Sequence, residues 1–208
     1  MIISRGRQYI FVHIPKTGGT SLALEARAMR DDLMLGDTPK ALKRRKKLMG
    51  AGARGRLWKH STLADIEGLV SRDEMREMLC FTLVRNPWDR IVSYYHWLKV
   101  QSFEHPAVAT AKTLGFSDFL RAPAVTGPIK THPYESYMRA SDGRSREPLY
   151  IRLEHFAEDA APLMAHLGFE LELPRANASA RESDYRRYFS ADDSEVVAEL
   201  CAEDIEKF

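Results

Sequence analysis

The chain reads as short apolar runs separated by longer amphipathic segments. Gln8 to Ile14 holds Tyr9, Ile10, Phe11, Val12 and Ile14, and it predicts a short buried strand. Pro15 to Thr20 breaks regular structure with a proline and two adjacent glycines. Ser21 to Arg30 then resumes with helix formers, Leu22 to Ala26. A second buried strand is expected at Met78 to Val84. Arg85-Asn86-Pro87 ends it, and Pro87 suits the first turn of a helix running to about Val100. On that helix Ile91, Tyr94, Tyr95 and Leu98 share one stripe. Leu149 to Leu153 reads as a third strand, followed by a helix from Glu154 to Leu167 that Gly168 closes. Thr62 with Asp65, Ser71 with Glu74, and Ser190 with Asp193 are capping-box pairs, the last opening a helix to Phe208. Prolines interrupt Phe103 to Ser145, where only a short helix near Ser117 to Arg121 is legible. Strands alternating with helices predict an α/β fold: one domain over residues 1–208, a parallel sheet flanked by helices on both faces.

Composition keeps this picture globular. The chain has 208 residues, 44% of them hydrophobic and 29% charged, enough for one domain with a sizeable core. A net charge of +2 argues against a nucleic-acid partner. The charges are unevenly placed, however. Lys40 to Arg56 holds eight bases and no acid, whereas Glu182 to Phe208 holds nine acids against three bases. With Gly50, Gly52 and Gly55, the basic stretch reads as a loop: a lid, an acceptor-facing surface, or a solvated segment. No apolar run approaches the roughly 20 residues that span a bilayer. The N-terminus makes a poor signal peptide, so the cytoplasm is the expected compartment. Cys80 and Cys201 form neither a disulfide framework nor a zinc spacing, and read as buried thiols.

The strongest chemistry lies in Phe11-Val-His-Ile-Pro-Lys-Thr-Gly-Gly-Thr-Ser21. A strand delivers a glycine loop to a helix start, a P-loop-like strand–loop–helix for binding phosphate. Gly18 and Gly19 permit close backbone approach, Thr20 and Ser21 add hydroxyls, and Lys16 adds a charge. A Walker A loop would place its lysine after the glycines, and here Lys16 precedes them. That disfavours a nucleoside triphosphate hydrolase or kinase. Taken alone, the loop is equally readable as a tight turn.

A second strand-to-helix junction, Cys80 to Tyr95, carries Arg85 at the strand's end and Ser93 eight residues on. A guanidinium fork suits phosphate oxygens, although Arg85 has a possible partner in Asp89. Together the two segments resemble the PAPS-dependent sulfotransferases, PAPS being 3'-phosphoadenosine-5'-phosphosulfate. Pro-Lys-Thr-Gly-Gly-Thr-Ser is similar to the 5'-phosphosulfate loop of carbohydrate-type members. Arg-Asn-Pro-x-x-Arg-x-x-Ser-x-Tyr is similar to the family's 3'-phosphate motif. Tyr150 to Phe156, Asn177 to Ser179, Asp184 to Tyr188 and Asp204 to Phe208 extend the likeness more softly, and Phe103 to Ser145 matches nothing.

The resemblance implies roles for these positions. Lys16 would stabilise charge on the leaving phosphate. Thr17, Gly18, Gly19, Thr20 and Ser21 would cradle the 5'-phosphate, and Arg85 and Ser93 would hold the 3'-phosphate. Asn177, Ser179 and Arg181 would close over the nucleotide. The reaction would be sulfuryl transfer from PAPS to a hydroxyl or amine of a saccharide or small molecule, leaving 3',5'-adenosine bisphosphate and requiring no metal. An alcohol acceptor benefits from a general base. His60, in Trp58-Lys-His-Ser-Thr62, matches the base position of some carbohydrate sulfotransferases, with His132 as runner-up and His13 as a structural residue. Trp58, Trp97, Tyr134, Arg144 and Arg146 are candidate acceptor contacts. The alternatives are a non-catalytic nucleotide-binding protein and a small-molecule kinase.

Overall fold

The first twelve residues already make two strands. Ile2–Ser4 forms β1 and Tyr9–Val12 forms β2, an antiparallel pair closed by a tight turn in which Gln8 takes a φ of 54°. The structure, a computed structural model, describes residues 1–23, 32–48, 50–142, 147–173 and 181–208. α1 (Gly19–Ala23) is followed by β3 (Asp32–Met34), α2 (Pro39–Leu48), α3 (Leu63–Ile66), α4 (Arg72–Glu77) and β4 (Leu79–Val84). Then come α5 (Pro87–Lys99), α6 (Pro106–Thr113), α7 (Phe116–Arg121), α8 (Pro123–Thr131), α9 (Tyr134–Met138) and β5 (Leu149–Arg152). α10 (Phe156–Asp159), α11 (Ala161–Leu167), α12 (Ala191–Leu200) and α13 (Ala202–Lys207) complete the chain, with 3₁₀ turns at Leu153–His155 and Tyr185–Tyr188.

The chain divides into two compact units, Met1–Val84 with Tyr134–Ala176, and Arg85–Pro133 with Asn177–Phe208. The first carries the sheet, ordered β3-β1-β2-β4-β5. It is parallel across β2, β4 and β5, as the alternation of strands and helices predicts, and antiparallel where β1 meets β2 and β3. The expected all-parallel sheet is therefore mixed. Strands of three residues are too short to show any period, which hides β1 and β3 from sequence reading.

One face of this sheet presents Tyr9, Phe11, Phe81, Leu83 and Ile151 to Leu163 of α11 and to Leu171. Phe11 and Phe81 are register partners and stack with centroids 5.1 Å apart. The single helix expected from Glu154 to Leu167 is instead a 3₁₀ turn, α10 and α11. Ala160 separates the two helices, and Pro162 occupies the first turn of the second. Gly168 ends α11 in the left-handed region, φ 77°, as anticipated. The Thr62 and Ser71 capping boxes form as read, with both reciprocal bonds present.

The basic stretch from Lys40 is not a loop in its first half: residues 39–48 form α2. Lys and Arg are good helix formers, and Pro39 supplies a preset first turn. Thr38 Oγ1 accepts from the Ala41 amide at 3.2 Å, and Ala41 is buried.

The second unit is helical. Ile91, Tyr95 and Leu98 of α5 pack with Ala107, Val108, Phe119, Leu120, Val125 and Val197, so the predicted apolar stripe is the face that goes inside. Pro106 and Pro123 sit in helix first turns, which is why a stretch that looks broken by prolines folds into successive short helices. Asp193 is buried. It closes the Ser190 capping box and accepts from Ser117 Oγ at 2.7 Å and Arg121 Nη1 at 2.5 Å, tying α12 to α7. The helix expected from Ser190 to Phe208 breaks at Cys201 into α12 and α13.

Candidate functional site

In the first unit the site begins where β2 ends. His13 to Gly18 lead from β2 into α1, and two residues there take left-handed backbone, Lys16 at φ 67° and Gly18 at φ 86°. Gly18 adopts this freely, whereas a lysine does so at a cost of ~1–3 kcal/mol. Leu153 packs on Gly18, whose absent Cβ would come 2.8 Å from Cδ1 of that leucine. Thr17 is fully buried, and its hydroxyl donates to the Ile14 carbonyl at 3.0 Å. That hydroxyl therefore braces the loop, and what Thr17 can offer a ligand is backbone. Thr20 is exposed, Lys16 is half-buried, and Gly19 and Ser21 lie in α1.

His13 covers this loop from one side. A Cβ on Gly19 would lie 2.3 Å from its Cδ2 and 2.7 Å from its Nε2, so only glycine fits beneath the ring. The ring stacks on Phe11 at 5.9 Å and meets the edge of His60 at 4.8 Å. Burial above all holds its pKa well below the usual histidine value, with the charges of Lys59 and Lys16 adding to the effect. It is a neutral imidazole.

His60 sits next to it. Its Nδ1–H donates to the His13 carbonyl at 2.7 Å. A carbonyl can only accept, so the neutral ring keeps its proton on Nδ1 and its lone pair on Nε2. Burial lowers its pKa to about 4; the hydrogen bond to His13 opposes this, and the charge of Lys59 reinforces it. Trp58 abuts the ring edge-on at 5.0 Å, and the Arg56 guanidinium lies 4.7 Å over the Trp58 ring. Ser61, fully buried, fixes the backbone here by donating to the Arg56 and Trp58 carbonyls. Lys59 pairs with Asp37 at 2.7 Å, and Asp37 also takes Arg45 of α2 at 3.3 Å. The basic helix is thus tethered to the residue beside His60.

β2 and β4 are adjacent and parallel, with Val12 opposite Thr82, so the chain leaves both strands at one edge of the sheet. Arg85 follows β4 directly. In the second unit, Arg85 and Arg181 grip one carboxylate: Arg85 donates to Asp89 Oδ2 at 2.9 and 2.5 Å, and Arg181 to Asp89 Oδ1 at 2.5 Å. The anticipated Arg85–Asp89 pair therefore exists, as part of a triad. Ser93 is buried one turn further along α5. His96 follows on the same face, since 89, 93 and 96 are spaced i, i+4, i+7. Sequence reading did not single out His96, though this spacing from Asp89 was available as a signal.

His132 is the C-cap residue of α8, with Nδ1 3.0 Å from the Pro128 carbonyl. Tyr134 is buried and Trp97 stacks on Tyr94, so both belong to packing. Asn177 and Ser179, Arg144 and Arg146, and residues 24–30 of the helix expected from Ser21 to Arg30 lie outside the described residues. Among the described residues no helix is long and apolar enough to cross a membrane.

A search of curated proteins finds no match to the chain. Among solved structures it is similar to mouse sulfotransferase SULT7A1 complexed with PAP. The identity is 17% and the TM-score 0.50, over 97% of this chain and 85% of that one, a likeness of fold. The sulfotransferase family model matches residues 1–207, so the chain belongs to the sulfotransferase family.

Proposed function

We propose that the protein transfers the sulfuryl group of PAPS to an acceptor hydroxyl or amine by in-line displacement. The observation that carries the reading is local to one unit. His60 hangs from the carbonyl of a residue three positions before Lys16, so a proton acceptor and the glycine loop share one strand end.

In this reading the backbone of Thr17 to Ser21 cradles the 5'-phosphate, with the Thr20 hydroxyl beside it. Lys16 neutralises the charge that builds on the leaving phosphate oxygen. Sulfuryl transfer proceeds through a loose transition state, so positioning and electrostatics carry the rate, as in phosphoryl transfer. His60 Nε2 takes the proton of the attacking hydroxyl while Nδ1 stays bound to the His13 carbonyl, which steadies the imidazolium as it forms. The S–O bond to the 5'-phosphate breaks as the bond to the acceptor oxygen forms, leaving 3',5'-adenosine bisphosphate (PAP). Arg85 and Ser93 hold the 3'-phosphate. The acceptor is a saccharide or a small molecule, with Trp58 and Arg56 beside the base as its nearest candidate contacts.

A transfer assay with sulfuryl-labelled PAPS across a panel of saccharide, phenolic and amine acceptors, run beside a PAP titration, tests this. Labelled product from at least one class, together with PAP binding, is expected. PAP binding with no transfer to any class would leave a nucleotide-binding protein, and absence of both would end the reading.

A further inference from the structure

The glycine loop is covered by a side chain that enters from β5. Where a Cβ on Gly18 would stand, Leu153 brings Cδ1 to 2.8 Å, Cδ2 to 3.2 Å and Cγ to 3.6 Å, so its whole isobutyl end lies on the glycine. β4 separates β2 from β5 in the sheet. Leu153, the first residue after β5, therefore reaches past the end of β4, across two strand spacings or about 10 Å, to the loop that leaves β2. The loop needs such support. Lys16 and Gly18 both take left-handed backbone, and a lysine in that region persists only where its surroundings over-determine it. Thr17 supplies one tie from within the loop, its hydroxyl bonded to the Ile14 carbonyl. Leu153 supplies the contact from outside.

Leu153 is itself held in place. Arg152 directs three bonds at one carboxylate: its amide to Asp159 Oδ2 at 2.9 Å, Nε to the same oxygen at 2.7 Å, and Nη2 to Oδ1 at 2.9 Å. The residue before Leu153 is thus fixed at both its amide and its side chain, the latter as a bidentate fork. The side-chain bonds from Arg152 bring the Asp159 carboxyl down to about 2. Asp159 ends α10, and Ala160 beside it is fully buried in the core against the sheet. One chain of contacts therefore runs from that core through Asp159, Arg152 and Leu153 to Gly18.

We propose that Leu153 and Asp159 are positioning residues for sulfuryl transfer: Leu153 holds the glycine loop in the form that receives the 5'-phosphate, and Asp159, acting through Arg152, sets Leu153. This rests on the PAPS reading. Neither side chain touches the donor, and both act by aiming the loop's backbone.

Calorimetric titration with PAP and with 3'-AMP, which lacks the 5'-phosphate, tests it without any acceptor. The proteins compared are wild type, Leu153→Ala, Leu153→Met and Asp159→Asn. Lys16→Ala probes the 5'-phosphate reading, and Leu163→Ala is a core variant away from the loop. PAP affinity should fall roughly tenfold in Leu153→Ala and about threefold in Asp159→Asn, and stay within about twofold of wild type in Leu153→Met, with 3'-AMP affinity unchanged within about twofold throughout. Leu163→Ala should lose stability and keep the wild-type ratio of the two affinities. If Leu153→Ala keeps that ratio while Lys16→Ala lowers it, this inference is overturned and the 5'-phosphate reading stands. The same follows if Leu163→Ala lowers the ratio as much as Leu153→Ala, because the loop then answers to general softening of the unit. A fall in Leu153→Ala without one in Asp159→Asn overturns the role given to Asp159. If Lys16→Ala also leaves the ratio unchanged, the 5'-phosphate reading itself fails and takes this inference with it.

Discussion

The Nδ1 of His60 lies 2.7 Å from the carbonyl oxygen of His13, and that one bond decides which face of the imidazole can accept a proton. Replacing His60 with Gln keeps a donor for the carbonyl and removes the proposed base. PAP affinity should stay within about twofold of wild type, while transfer falls by roughly 10²–10⁴. Because the free-enzyme pKa is about 4, the acid limb of kcat/KM should fall through that value rather than through the ordinary 6.5. A pH–rate profile breaking near 6.5, or an active glutamine variant, reassigns the base.

The same two imidazoles make stability depend on pH. Both His13 and His60 have folded-state pKa values below the unfolded value of 6.5. Between about pH 6.5 and 4 the unfolded chain therefore binds more protons than the native one. Their contribution to stability is complete above 6.5 and is lost as pH falls through that window. Thermal unfolding should show Tm dropping from pH 7 to pH 5, and less steeply in His60→Gln. Glu67, Asp159 and Asp193, each at about 2, add a second loss below pH 4. A Tm that is flat from 7 to 5 contradicts the first window.

What the sequence disclosed is what local chemistry specifies. The glycine turn, the Arg85 junction and the Thr62, Ser71 and Ser190 caps are each settled within a few residues, and each appears as read. The misreadings have a common cause: their signals are not local. β1 and β3 exist because β2 and each other offer hydrogen bonds. α2 is concealed by its charges, since only Ala41 of the ten residues is buried. Pro106 and Pro123 read as breaks and act as starts. That the carbonyl and ring of His13 meet His60, 47 residues on, is likewise not written in its strand position. The Asp89 triad needs Arg181, 92 residues away in the chain.

Lys16 separates conformational strain from chemistry. Its φ of 67° favours glycine, so Lys16→Gly should leave stability unchanged or raise it by ~1 kcal/mol. Turnover should nevertheless fall more than about tenfold, as also in Lys16→Ala, because the charge proposed to stabilise the leaving phosphate is gone. Chemical denaturation and single-turnover rates on the same preparations report the two effects independently. A glycine variant with normal turnover removes Lys16 from the mechanism.

Two glycines make a matched pair of tests. Ala at Gly19 places a methyl 2.3 Å from the His13 ring, which must move off the loop and disturb its contact with His60. A loss of ~1–3 kcal/mol in stability and a sharp fall in turnover are expected. Gly127 lies within α8 with nothing near its missing Cβ, so Gly127→Ala should gain ~0.5–1 kcal/mol with turnover unchanged. Equal effects at both sites would mean that the His13 packing is unimportant.

Glu67 holds the segment that presents His60. It is 5% exposed and accepts from the Ser141 amide at 2.7 Å, Ser141 Oγ at 2.5 Å and Arg54 Nη1 at 3.2 Å, with Arg72 at 3.5 Å. Burial alone would raise its pKa, yet the bonds from Ser141 and Arg54 and the Arg72 charge bring it down to about 2. The two arginines are more than half exposed, so water screens their attraction and the buried Ser141 bonds matter more. Glu67→Gln keeps an oxygen acceptor and should cost ~1 kcal/mol, whereas Glu67→Ala strands the Ser141 donors and should cost ~2–3 kcal/mol. The segment from Arg54 to Glu67 also carries the Arg54 and Gly55 backbone bonds to Glu67 and Asp65, so it should loosen as a unit. Amide exchange across residues 54–67 should therefore accelerate in Glu67→Ala, and turnover should fall with unchanged PAP affinity. Uniform exchange across the first unit would instead make Glu67 a general stability residue with no particular hold on His60.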